Sequence, residues 1–155
     1  MALESSIFCI MLYIYNHKLR RPIRANGTAN LFLLNPNGLI FGPNARLDIG
    51  GSFFGTTADR LVFENGLEFS ATSPEAQPLL AVNVPVGLQL GADPAPVQVQ
   101  APILAVAPGR TLALVGGHLN LDGAILSAPG GRIELGGLSD AGTLTVNGNP
   151  ERVTT

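Results

Sequence analysis

The chain of 155 residues is one domain or part of one, long enough to bury a single core. Charged residues make up 13% against 46% hydrophobic, and the net charge is −2, which fits neither a disordered polyelectrolyte nor a surface that neutralises a nucleic-acid backbone. Gly 19 and Pro 12 reach about one residue in five without recurring every third position, so collagen is excluded and many short strands broken by turns remain.

The chain opens with Ile7 to Tyr15, an unbroken apolar run, followed by the basic residues Lys18, Arg20, Arg21 and Arg24. The run is far short of the ~20 residues that span a bilayer. It also lacks the marks of a signal peptide: Glu4 stands where a positive charge belongs, the basic residues follow the run, and no small-residue cleavage site comes after it. A buried strand or short helix is one reading. The composition shift at Ala25 supports another, in which residues 1–25 are an atypical segment outside the main domain. Cys9 is the single cysteine and can form no internal disulfide.

Asn30 to Gly42 contains Asn35-Pro36-Asn37-Gly38, with apolar residues on both sides. Each residue suits a β-turn: Asn35 can bond the backbone two residues on, Pro36 presets φ, and Asn37 and Gly38 tolerate the closing geometry. Next come short alternating bursts, beginning with Leu47 and Ile49 around Asp48. Alternation places the apolar pair on one strand face and the polar residue on the other.

Leu61 to Phe63 and Leu67 to Phe69 flank Asn65-Gly66, a strong hairpin signal. A two-residue turn sets Val62 opposite Phe69 and Phe63 opposite Glu68, leaving neither face cleanly apolar, so an antiparallel flap beside the main fold is expected. Prolines 74, 78, 85, 94, 96 and 102 then cut the chain into short extended pieces, with Leu79 to Val86 and Gly87 to Gly91 as further flap strands.

Leu112 and Leu114, Leu119 and Leu121, Ile133 and Leu135, and Leu144 and Val146 continue the alternation. Arg46-Leu47-Asp48-Ile49-Gly50-Gly51 and Arg132-Ile133-Glu134-Leu135-Gly136-Gly137 are close copies, and Thr111 to Gly117 is a looser third. The glycine pairs are expected to turn the chain at positive φ. Leu112 to Ile133 has the length of one coil of a parallel β-helix, in which inward apolar pairs stack from coil to coil. A β-sandwich also uses short strands, but its strands run longer, and the strand-Gly-Gly repeat favours the solenoid.

With these residues in place, Asn35 to Leu39 resembles the Asn-Pro-Asn-Gly-Ile/Leu motif of the two-partner-secretion domain of filamentous haemagglutinins and related exoproteins. The likeness runs through Phe41 to Ala45, Arg46 to Gly51, Phe53, Phe63 to Asn65 and Ala81 to Gly91, and covers about Asn26 to Gly137. It implies an all-β, right-handed parallel β-helix with an antiparallel hairpin flap. It divides the chain into the atypical residues 1–25, a partial secretion domain at 26–137, and a start of further repeats or a tail at 138–155. It implies a non-enzymatic domain bound by the periplasmic domains of an outer-membrane barrel transporter, with Asn35, Pro36, Asn37, Gly38 and Leu39 tied to secretion competence. It further implies an extracellular or cell-surface protein engaged in adhesion or haemagglutination through host-cell or surface carbohydrate or protein. The family's signal peptide, capping segment and earlier Asn-Pro-Asn-type motif are missing from this sequence. A truncated, poorly soluble, secretion-incompetent product with an exposed sheet edge is therefore expected.

Parallel β-helices also house polysaccharide lyases and hydrolases, which need clustered acids with a nearby cation. The candidates are Asp48 with Arg46 and Glu134 with Arg132, each spaced two residues apart on an outward strand face, where surface ion pairs are the simpler reading. His17 and His118 are isolated, so no metal ligation is expected, and no glycine loop suits a phosphate-bearing cofactor. No nucleic-acid partner is expected either.

Overall fold

The computed structural model describes residues 9–13, 18–25, 27–63, 68–70, 80–81, 85–101, 103–146 and 153–154. Three strands make each coil of a parallel solenoid of about four turns. The first coil holds β1 (Cys9–Tyr13), β2 (Lys18–Leu19) and β3 (Pro22–Ala25). The second holds β4 (Asn30–Leu34), β5 (Leu39–Phe41) and β6 (Arg46–Ile49). The third starts with β7 (Phe53–Thr56) and then leaves the solenoid through β8 (Arg60–Phe63), β9 (Glu68–Ser70), β10 (Leu80–Ala81) and β11 (Pro85–Leu90). It resumes with β12 (Val97–Val99) and β13 (Ile103–Ala105). The fourth is β14 (Thr111–Gly116), β15 (Leu119–Asn120) and β16 (Ile125–Ser127), followed by β17 (Arg132–Gly137), β18 (Gly142–Val146) and β19 (Val153–Thr154).

Successive coils stack in parallel. On the first face Cys9 pairs with Asn30, Leu31 with Phe53, and Thr111 with Arg132, so each full coil consumes nearly the same length of chain. This face is a six-stranded sheet ordered β10-β1-β4-β7-β14-β17, and the second face is ordered β15-β12-β5-β2. The third face consists of two two-stranded sheets, β3–β6 and β13–β16. Leu112 pairs directly with Ile133, so the sequence spacing read as one coil is one coil.

Two apolar clusters share the first face. Leu31, Leu33, Phe53, Leu112 and Leu114 point into the lumen, where they meet Leu39, Phe41, Val97, Val99 and Leu104 from the other faces. Phe32, Leu34, Phe54, Ala113 and Val115 point outward and are covered by Leu61, Phe63, Phe69, Leu88, Leu90 and Leu144 of an antiparallel sheet ordered β19-β18-β11-β8-β9. Phe32 and Phe54 stack across the coils with ring centroids 4.3 Å apart. The expected flap is therefore a full layer on the solenoid, and a sheet buried on both sides explains why Asn30–Leu34 reads as a run rather than an alternation.

Five sequence expectations change in detail. In the hairpin Leu61 pairs with Phe69 and Val62 with Glu68, one residue away from the register of a two-residue turn. The slip puts Leu61, Phe63 and Phe69 on the buried side and makes one face cleanly apolar. The Asn65-Gly66 turn itself lies outside the described residues, as do His17, Pro74, Pro78 and Pro102. Second, Leu80 and Ala81 belong to the first face rather than the flap, pairing antiparallel with Ile10 and Cys9. One edge of β1 is thus paired there.

Third, the strand-closing pairs Gly50-Gly51, Gly116-Gly117 and Gly136-Gly137 have no positive φ; among the described glycines it is found at Gly27, Gly38, Gly109, Gly123 and Gly130. Gly50, Gly51 and Gly117 sit where a Cβ would collide with the carbonyls of Gly27, Ala29 and Pro94, so close approach between neighbouring segments is what demands them. Fourth, Asp48 pairs with Arg24 of the preceding coil at 3.4 Å and not with Arg46, because Arg24 is its register partner. Fifth, Ile133 and Leu135 lie in register with Leu112 and Leu114 but are 41% and 48% exposed, because β17 is the last described strand of its sheet.

Candidate functional site

Asn35 to Leu39 forms the corner between the first and second faces of the second coil. Asn35 is fully buried at the end of β4. Its Oδ1 accepts a hydrogen bond from the Asn37 N–H at 2.9 Å, and its carbonyl accepts one from the Gly38 N–H at 3.0 Å. This is the side-chain-reinforced turn that the residue types called for. Gly38 is buried with φ +119°, a conformation L side chains rarely adopt. Pro36 is half-buried and Asn37 is exposed. Leu39 drops its side chain into the lumen and is fully buried.

The surroundings of this corner could not be read from the motif. Asn35 donates its N–H to the carbonyl of Thr56 at 3.1 Å, and Leu39 donates to the carbonyl of Pro96 at 3.2 Å. Thr56 and Pro96 are the points where the chain leaves the solenoid for the antiparallel layer and returns from it. Thr57 Oγ1 donates to the Ala95 carbonyl at 2.8 Å, and Gly117 N–H bonds the same carbonyl at 2.9 Å, which ties the two points together. Thr56 Oγ1 accepts from the Ala58 N–H at 3.0 Å and turns the departing chain. The motif thus closes its own coil and holds both ends of the excursion.

Sequence reasoning also missed a buried polar ladder at the opposite corner. Ser52 donates its N–H to Asn30 Oδ1 at 2.9 Å, and Ser52 Oγ accepts the Thr111 N–H at 2.9 Å. Three consecutive coils are joined this way, with each buried polar group satisfied as its surroundings require. The placement of Asn30 and Ser52 one coil length apart was the available signal.

The acids considered for catalysis are dispersed. Asp48 lies on the third face of the second coil, and Glu134 lies on the first face beyond the fourth, with Arg132 at 3.7 Å. His118 is exposed between β14 and β15. Among the described residues, no group of three or more His, Cys, Asp or Glu side chains could hold a metal ion, and no helix is long and apolar enough to cross a membrane.

Comparison with known proteins adds a match to the family model described as the TPS secretion domain over residues 22–153, from β3 through the turn, the excursion and the fourth coil. The chain belongs to the two-partner-secretion domain family. No curated protein and no solved structure matches it. Membership makes this TPS domain part of a two-partner-secretion exoprotein recognised by its transporter. The family comprises secreted proteins and is one of secretion and adhesin domains rather than enzymes. Asn35 to Leu39 lies well inside the matched region.

Proposed function

We propose that the Asn35–Leu39 corner carries secretion competence. In this reading the transporter is an outer-membrane barrel whose periplasmic domains capture the TPS domain before it is fully folded. Folding of the corner then commits the second and third coils together. The observation that carries this reading is the pair of bonds from Asn35 and Leu39 to Thr56 and Pro96, which couple the motif to both ends of the excursion. Capture by strand addition would engage strand backbone left unpaired before the coils close. Outside the cell, the exoprotein would contribute to adhesion or haemagglutination at the cell surface.

The test is export of the chain behind a signal peptide and a family-type cap, with a cognate transporter co-expressed. Native protein is expected in the medium only with the transporter present, and Asn35→Ala is expected to reduce its release. Asn37→Ala, which changes an exposed side chain and keeps the turn's backbone bonds, is expected to be exported normally. Retention of folded native protein in the periplasm would overturn the transport reading. Loss of export in Asn37→Ala with an unchanged melting temperature would move recognition from the folding of the corner to the Asn37 side chain.

A further inference from the structure

The basic stretch near the start of the chain takes no part in the corner described above, yet the solenoid gives it a definite setting. A groove of about 390 Å³ opens on the third face, lined by Pro22, Pro43, Asn44, Ala45, Arg46 and Ile103. It lies at the seam where the third face divides, between Arg46 at the start of β6 and Ile103 at the start of β13. Its lining is mainly apolar. Ile103 is 54% exposed, and its register partner Ile125 is 59% exposed, so the apolar strip continues onto the next coil.

The rim is cationic. Arg46 is exposed, and the exposed Arg20 and Arg21 immediately precede Pro22. They lie on the corner next to the Gly42–Ala45 turn, where the Gly42 N–H bonds the Leu19 carbonyl at 2.8 Å. Asp48, the nearest acid in the sequence, is engaged by Arg24. Among the described residues no carboxylate bridges Arg20, Arg21 or Arg46. The segment from Lys18 to Arg46 contains five of the nine cations and none of the 11 acids, so a chain of net charge −2 concentrates its positive charge here.

We propose that this groove docks an extended acidic peptide segment in which apolar residues alternate with carboxylates. Side chains of an extended peptide alternate between two sides. One set can therefore rest on Pro22, Pro43 and Ile103 while the other reaches the arginines, whose planar forks suit carboxylates. A sulfated polysaccharide would satisfy the arginines equally well but would gain nothing from Ile103 and Ile125, which favours the peptide. The surface goes beyond the function proposed above, since it lies on the third face and leaves the Asn35–Leu39 corner untouched.

The test is fluorescence anisotropy on the full chain with a labelled peptide of alternating Glu and Val, the same peptide with Lys in place of Glu, and a heparin oligosaccharide as competitor. The acidic peptide is expected to bind at micromolar concentration and the lysine peptide not to bind. The double variant Arg21→Glu/Arg46→Glu and the single variant Ile103→Ser are each expected to weaken binding about tenfold or more. All substituted side chains are exposed, and unchanged circular dichroism and melting would show the variants folded. No saturable binding below about 1 mM overturns the proposal. Binding that survives Ile103→Ser, or that heparin displaces with higher affinity than the peptide, also overturns it and makes the surface a general polyanion site.

Discussion

The first and third faces of the solenoid are built from the same coils and the same short strands, yet they differ in what covers their outer side. On the first face β4, β7 and β14 are buried at every position, because the antiparallel layer covers the side that faces away from the lumen. On the third face no such layer is found among the described residues over β6, β13 and β16, and Arg46, Asp48, Ile103 and Ile125 remain in solvent. Burial of a strand residue is therefore set by the neighbouring layer as much as by the solenoid itself. The unbroken run Leu31 to Leu34 reflects that cover, whereas Leu112 and Leu114 alternate with the small Ala113 on the same covered face, so alternation alone does not tell the two faces apart.

Substitutions on the outward sides of the two faces should separate these roles. Phe54→Ala removes a ring stacked on Phe32 within the covered face and is expected to destabilise the chain by about 3–5 kcal/mol in urea unfolding. Ile125→Ala on the uncovered face should change stability by less than about 1 kcal/mol. Equal losses at the two sites would mean that the antiparallel layer does not cover the first face in solution.

The glycines offer a finer version of the same contrast. Gly51→Ala drives a methyl group into the Ala29 carbonyl between coils, and a loss of about 3 kcal/mol is expected. Gly109→Ala meets open space and suffers only from its φ of +79°, so a loss of about 1–2 kcal/mol is expected from thermal melts. If Gly109 proved the more sensitive, corner geometry rather than coil spacing would limit the stack.

Asn35→Ala should cost about 1–2 kcal/mol, since the Asn37 N–H loses its acceptor at the edge of the buried corner. The smallest effect is expected at Asp48→Asn. Its pair with Arg24 joins side chains 68% and 66% exposed, and a change below about 0.5 kcal/mol should appear, shrinking further in salt.

Local chemistry made much of this fold legible. The Asn35–Gly38 turn, the strand alternation, the one-coil spacing from Leu112 to Ile133 and the antiparallel excursion all follow from residues close together in sequence. What could not be read depends on which residue lies one coil away. Asp48 has Arg24 as its partner because the third face sets those two side by side, across a slightly longer stretch of chain than joins Cys9 to Asn30 or Leu31 to Phe53 on the first face. Gly50, Gly51 and Gly117 read as turn residues because the carbonyls they accommodate belong to other coils or to the returning excursion. The hairpin register depended on which alternative buries Leu61 with Phe69, and that is decided by Phe32 and Phe54 beneath them. Likewise, the turn motif was visible, but its hold on Thr56 and Pro96 was not, since those residues meet only when the excursion closes.

The excursion also has a bearing on the order in which the coils assemble. Leu31 finds Phe53 a single coil away, but Phe53 must wait for Leu112, which lies beyond the excursion from Ala58 to Ala95. The longer closure adds only about 0.9 kcal/mol of chain entropy, so the finished protein loses little by it. Time is affected more than equilibrium, because distant partners meet late. Pulse-labelling hydrogen exchange is expected to find the amides of β4 protected before those of β14. A chain emerging gradually into solvent would then reach a pause after its second coil, with the lumen half built, until the segment around Ala95 comes back to be held by the corner that has been waiting for it.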